Sequence, residues 1–178
     1  SFTLLAICVV CTALVIGAHD YTNSIIAKRE AAKIEESYLQ VFPQAGKLEK
    51  IAAPADSSIK EIYRSAKGAG VNGYIYTVAP KGYAGEITIM VGIEKPSMKI
   101  TGVKILNQKE TPGLGAKCTE PAFLNQFLDK DLHKPLVVSK DAQKPQEIQA
   151  ITASTITSKA VVSGINIASA HFRENYLK

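Results

Sequence analysis

The chain opens on an uninterrupted apolar run, "FTLLAICVVCTALVIGA", residues 2–18. A bilayer core takes about 20 apolar residues, with a lower limit of about 17, so the run predicts a single membrane-spanning helix. The sequence begins at Ser1, and a few further residues upstream would complete the span. The rival reading is a cleaved signal peptide. Ile16 would sit three residues before a cleavage after Ala18, a poor site, so a retained anchor is expected.

The pattern then changes period. In "SIIAKREAAKIEESYLQVFP", Ala27, Ala31, Ile34, Tyr38 and Val41 recur at helical spacing, and Pro43 stops the run. This predicts an amphipathic stalk, followed by a "PADSS" loop. From Gly73 to Asn107 the pattern is that of strands. Ile87, Ile89, Val91 and Ile93 alternate with Thr88, Met90 and Gly92, and Val103 and Ile105 continue the series. Pro80-Lys81-Gly82 and Glu94-Lys95-Pro96-Ser97 mark turns, so an antiparallel meander is expected. "EPAFLNQFLDK" predicts a short helix with Phe123, Leu124, Phe127 and Leu128 inward, and "PLVVS" a short strand. From Thr157 onward, Val161, Ile165, Ala168 and Phe172 share one helical face. Strands with helices packed to one side define an α+β class. The expected layout is an anchor at 1–19, a stalk and linker at 20–58 and a folded domain at 59–178.

Composition narrows the field. Apolar residues make up 46% of 178 positions, and the net charge is +5. The lysines are scattered, with no arginine cluster or aromatic-interleaved basic stripe, which argues against nucleic-acid binding. Cys8 and Cys11 form a C-x-x-C spacing inside the apolar run, where nothing favours a thiolate. They read as small helix residues, and Cys118 has no partner nearby in sequence. His19, His133 and His171 stand apart from one another, so no catalytic acid or base and no metal site is inferred.

Two stretches carry candidate chemistry. "QAITASTITSKAVV" crowds Thr152, Ser154, Thr155, Thr157 and Ser158 into the entrance of the last helix. Unpaired N–H groups and the positive end of the helix dipole make such an entrance an anion site. Small Ala153 and Ser154 leave room for a bulky group. Plain helix capping is the competing explanation. The second stretch is "NQKETPGLGAK". Pro112 fixes φ and Gly113 permits a positive φ, which predicts a turn. Gly115 adds freedom, and Leu114 is left at the tip, where a flat ring could rest.

Taken together, "KGYAGEITIMVGI", "ETPGLG" and the hydroxyl-rich helix entrance resemble the FMN-binding domain family over roughly Gly73 to Phe172. That family includes G subunits of Rnf-type electron-transport complexes and C subunits of sodium-translocating NADH:quinone reductases. The short body favours the former, with the latter as alternative. A membrane-anchored binding module without a redox role is the alternative from another class. The resemblance implies FMN held as a phosphoester on a threonine that closes a D-x-x-[ST]-G-A-T pattern. Laid on this chain, the pattern puts the attachment on Thr155, with Thr152, Ala153 and Ser154 before it. Ile156 and Thr157 follow, and Glu110, Thr111, Gly113, Leu114 and Gly115 complete the implied cofactor-binding set. Gln149 replaces the aspartate, Ala153 the glycine and Ser154 the alanine of the pattern, and Gln108 stands where relatives often hold histidine. The Ala153 change is expected to be mild on a backbone that avoids positive φ.

The resemblance further implies an electron relay in an ion-translocating ferredoxin:NAD oxidoreductase. Its partners would be the other Rnf subunits (A, B, C, D and E), a flavin transferase and membrane lipid. The body would lie on the outer side of the cytoplasmic membrane. The uncharged span offers no ion path of its own. Lys28, Arg29 and Lys33 follow it on the side where basic residues favour the cytoplasm, so an outward body requires a more basic segment before the span.

Overall fold

The computed structural model describes residues 36–54, 58–68 and 70–177. The expected membrane span, the stalk as far as residue 35, Cys8, Cys11 and the basic residues after the span lie outside the described residues. Among the described residues, no helix is long and apolar enough to cross a membrane.

The body is built on a five-stranded antiparallel meander: β1 (Lys47–Ile51), β2 (Ile59–Lys67), β3 (Gly70–Val78), β4 (Thr88–Glu94) and β5 (Ile100–Asn107), adjacent in chain order. The alternation read at β4 is real. Ile89, Val91 and Ile93 are fully buried and join Ile62, Tyr74, Tyr76, Val78 and Ile100 in one core. Successive strand residues point to opposite faces, and the opposite face is also covered. Ile75 and Met90 pack there against Tyr38, Val41 and Phe42, so the sheet has apolar material on both sides.

Two strands escape the sequence pattern. β1, placed above in the linker, and β2 read "KLEKI" and "IKEIYRSAK", dense with charge. Their charges pair across the strands, Lys50 with Glu61 and Arg64 with Glu49. Charged side chains are what an edge strand uses to block further pairing.

After β5 come a 3₁₀ turn (Gly115–Thr119), a one-turn helix α1 (Pro121–Leu124) and a second 3₁₀ turn (Asn125–Phe127). Phe123 and Phe127 point inward as expected and Leu124 packs partly against the core, but Leu128 does not. The helix has ended by then, Leu128 is extended, and 44% of its surface is exposed. A short parallel pair follows, β6 (Val137–Ser139) with β7 (Glu147–Gln149). The chain closes with the long helix α2 (Thr155–Tyr176). Val161, Ile165, Ala168 and Phe172 are fully buried on its inner face, and the three larger side chains each contribute about 1.5–3 kcal/mol where fully removed from water.

Two of the histidines have partners, and His19 lies outside the described residues. His171 Nδ1 lies 3.2 Å from the buried Tyr76 hydroxyl, and His133 Nδ1 lies 2.5 Å from Asp131. Cys118 is fully buried in the main core. Burial, with a smaller contribution from nearby Glu110, pushes its thiol up to about 11.

Gly92 and Gly102 sit opposite each other in the β4–β5 register. A Cβ on either would fall 2.6 Å from the carbonyl oxygen of Val41, which also accepts the Thr101 hydroxyl at 2.8 Å. This bare track lets the segment around Val41 and Phe42 lie flat on the sheet. Gly102→Val should therefore destabilise the domain by about 1–3 kcal/mol, the usual cost of overpacking, read as a lower urea midpoint. A disulfide-exchange reagent at neutral pH should leave Cys118 unmodified until the domain unfolds. Rapid labelling of the native protein would contradict its burial.

Candidate cofactor site

Three chain segments converge at one end of the sheet: the β3–β4 connection (residues 79–87), the segment after β5 (residues 108–115) and the entrance of α2. Glu110 joins them. Only 5% of its surface is exposed. One carboxyl oxygen accepts the backbone N–H of Ala84 at 2.9 Å, and the other accepts the Thr157 hydroxyl. The backbone N–H of Glu110 donates to the Gln108 side chain at 2.6 Å. Two glycines make the space. A Cβ on Gly82 would lie 2.6 Å from one carboxyl oxygen, and a Cβ on Gly115 would lie 2.7 Å from the other and 2.7 Å from the Thr157 hydroxyl. Gly115 is thus required for clearance rather than for the backbone freedom expected from sequence.

The predicted turn forms. Leu114 N–H donates to the Thr111 carbonyl at 3.1 Å, with Pro112 and Gly113 between them and Gly113 at φ 77°. Proline followed by a positive-φ glycine is the type II arrangement. Leu114 is left 43% exposed at the tip.

At the α2 entrance the structure sorts the five hydroxyls. Ser158 is fully buried. Its hydroxyl accepts the Ile151 N–H at 2.9 Å and donates to the Ser154 carbonyl at 3.0 Å. Thr157 is buried and committed to Glu110. Ser154 is the N-cap residue, is buried, and makes no side-chain capping bond. Thr152 and Thr155 are exposed. Thr155 is the first residue of α2, where backbone N–H groups have no intrahelical partner. Simple capping by Ser154 therefore does not explain the hydroxyl cluster.

Ala153 is a correction to the sequence reading. Its φ is 60°, inside the left-handed region where a Cβ costs about 1–2 kcal/mol. The turn closes with the Ser154 N–H on the Ile151 carbonyl at 2.9 Å, and Ser158 clamps both ends. The glycine of the resembled pattern is thus the residue this backbone favours.

Between the Leu114 turn and the helix entrance lies a cleft of about 330 Å³, lined by Glu110, Thr111, Leu114, Gly115, Ala153, Ser154, Ile156 and Thr157, and also by Tyr83. The volume is in the range of small-molecule sites. Gly113 and Thr155 adjoin this lining in sequence without being part of it. Thr152 instead faces a neighbouring cleft with Lys117, Gln126 and Gln149. Gln149 occupies the aspartate position of the pattern, and its backbone N–H is held by the Gln126 side chain at 2.7 Å. Tyr83 was missed by the sequence reading. The available signal was an aromatic residue between glycines, Gly82 and Gly85, where a turn has no packing reason to place one. Larger hollows of about 490 and 510 Å³ lie along Leu136–Val138 and beside Lys130, and neither contains a residue of the Glu110 cluster.

The chain belongs to the FMN-binding domain family, which it matches over residues 82–170. Within it the chain is similar to G subunits of ion-translocating oxidoreductase complexes. It is 34% identical to the G subunit of the proton-translocating ferredoxin:NAD(+) oxidoreductase complex of Clostridium ljungdahlii, over 87% of this chain and 80% of that one. It is 42% identical to the G subunit of the Na(+)-translocating complex of Acetobacterium woodii, over 68% of this chain and 61% of that one. The fold is shared with NqrC of Shewanella oneidensis, at a TM-score of 0.53 and 20% identity, covering 72% of this chain and 67% of that one. It is shared as well with the C subunit of the Na(+)-translocating NADH-quinone reductase of Parabacteroides distasonis, at a TM-score of 0.54 and 25% identity, covering 63% and 60%.

Replacing Ala153 by glycine should relieve the left-handed strain and stabilise the domain by about 0.5–1 kcal/mol, after the extra entropy glycine loses on folding. Chemical denaturation of both proteins checks this, and a lower midpoint for Ala153→Gly would contradict the backbone assignment.

Proposed function

We propose that the chain is a membrane-anchored electron-transfer subunit of an ion-translocating ferredoxin:NAD oxidoreductase of the Rnf type, carrying FMN as a phosphoester on Thr155. The observation that carries this reading is the state of Thr155. It is an exposed hydroxyl at the first position of a 22-residue helix, beside the 330 Å³ cleft. Its buried neighbours Thr157 and Ser158 are committed to structural bonds. The similarity to G subunits at 34% and 42% identity supports the complex. The fold neighbours named as C subunits match at 20% and 25% identity, which leaves that assignment second.

The residues present fit the cofactor. The helix entrance supplies N–H groups and a positive dipole end for a phosphate, and the Ser154 side chain does not use them. Ala153 and Gly115 keep the cleft open. Leu114 and Ile156, 43% and 56% exposed, offer apolar walls that shed water from a ring system. Glu110 has both oxygens bonded within the protein, so its role is to hold the walls rather than to bind the cofactor directly. FMN, when bound, supplies the redox chemistry, and the protein supplies attachment, orientation and shielding. A covalent ester suits a relay that must keep its flavin while electrons pass to other subunits.

The partners on this reading are the other complex subunits, a flavin transferase that recognises the 149–155 segment, and lipid around the anchor. The body lies on the outer face of the cytoplasmic membrane. This placement rests on the resemblance.

The denatured chain, produced together with a flavin transferase, should carry the mass of FMN less one water, and Thr155→Ala should carry none. An adduct that survives in Thr155→Ala would move the attachment to another hydroxyl, Ser154 first. Sidedness needs an exposed probe, since Cys118 is buried. With the native cysteines replaced, Lys140→Cys should react with a membrane-impermeant thiol reagent before the inner membrane is breached. Reaction only after breaching would place the body inside.

A further inference from the structure

We infer that Tyr83 is a ring-contacting residue of this site and that Glu110 is the positioning residue that puts it there. The inference rests on reading the cleft as a flavin site and adds two roles to it. Tyr83 is 70% exposed, the highest exposure among the large apolar and aromatic side chains of the described residues. It nevertheless lines the cleft, together with Leu114 and Ile156. An aromatic side chain kept in water at a cleft mouth, with other exposed apolar residues around the same mouth, marks a binding surface.

The tip that carries Tyr83 is built to a fixed shape. Lys81 and Glu86 bridge its base, and Gly82 N–H donates to the Gly85 carbonyl at 2.7 Å. One residue beyond Tyr83, the Ala84 N–H is captured by Glu110 at 2.9 Å. The same carboxyl group holds Thr157, two residues after the attachment hydroxyl. Glu110 therefore sets the distance between the Tyr83 tip and the flavin-bearing end of α2. Gly82 and Gly115 have no Cβ where the carboxyl oxygens sit, so the three segments close on that group with little slack.

A phenol in contact with an excited flavin quenches its emission by donating an electron, which then returns. A phenyl or aliphatic side chain does not. The test compares wild type, Tyr83→Phe and Tyr83→Leu, each loaded by coexpression with a flavin transferase. Intact mass after denaturation reports attachment, and native emission per flavin reports the contact. The expected result is full attachment in all three, with emission several-fold brighter in both variants. Iodide should reach the ring more readily in Tyr83→Leu than in Tyr83→Phe. Glu110→Ala should also brighten emission, and Glu110→Gln, which keeps an acceptor for the Ala84 N–H, should restore the wild-type level. Adding Glu110→Ala to Tyr83→Leu should change little further, because the two act on one contact. If Glu110→Ala does not fold, Glu110→Asp, whose shorter side chain cannot reach both Ala84 and Thr157, takes its place and should brighten emission likewise, and unchanged emission there overturns the positioning role. Unchanged emission in both Tyr83 variants with the adduct present overturns the contact. Brightening at Tyr83 with no change in a folded Glu110→Ala overturns the positioning role. A wild-type chain with no adduct overturns the flavin reading beneath both.

Discussion

The site depends on one buried side chain. Glu110 leaves the solvent at the end of β5 and must find partners for both carboxyl oxygens, since buried polar groups in folded proteins are bonded. It finds them on two other segments, the Ala84 N–H and the Thr157 hydroxyl. The arrangement is possible because glycines stand at 82 and 115. A Cβ at either position would push the carboxyl away and part the segments. The "ETPGLG" stretch thus works in two halves. Its glutamate and final glycine lock the turn onto the sheet and the helix, while Pro112, Gly113 and Leu114 shape the tip that faces the cleft.

The helix entrance is fixed by a second clamp. Ser158 receives the Ile151 N–H and donates to the Ser154 carbonyl, which holds the tight turn before α2 and keeps Ala153 at φ 60°. The strain at Ala153 is borne because α2 is anchored along its length by Val161, Ile165, Ala168 and Phe172 in the core. The result is a helix start held from both sides, with one exposed hydroxyl, Thr155, at its first position. The geometry that makes a good anion site and the geometry that presents a nucleophilic side chain are the same here.

Much of this was readable in the sequence, and the failures have physical causes. The inner face of α2 was legible because four apolar positions repeat at helical spacing with no competing signal. β4 and β5 were legible because their alternation is strong, and the 111–114 turn because Pro-Gly chemistry leaves little choice. β1 and β2 were not, because charged residues crowd around the few apolar ones, Ile59 and Ile62, that face the core. Leu128 misled because a helical period continued past the point where the helix gives way to a 3₁₀ turn. Gly115 was singled out for backbone freedom, whereas its neighbours and not its φ demand a glycine there. The strain at Ala153 was invisible because an alanine gives no sign of a left-handed backbone. Tyr83 was passed over because it lies far in sequence from the rest of the cleft lining, and the bond from the neighbouring Ala84 amide to Glu110 spans 26 residues.

The central claim is that these clamps leave Thr155 as the flavin-bearing hydroxyl. Tryptic digestion of the chain made with a flavin transferase should yield a peptide spanning residues 141–159, which contains all five candidate hydroxyls. Fragmentation of that peptide localises the adduct most directly. The account predicts a phosphoflavin on Thr155 and unmodified Thr152, Ser154, Thr157 and Ser158. An adduct on Thr157 or Ser158, whose hydroxyls are committed to Glu110 and to the Ile151–Ser154 turn, would contradict it.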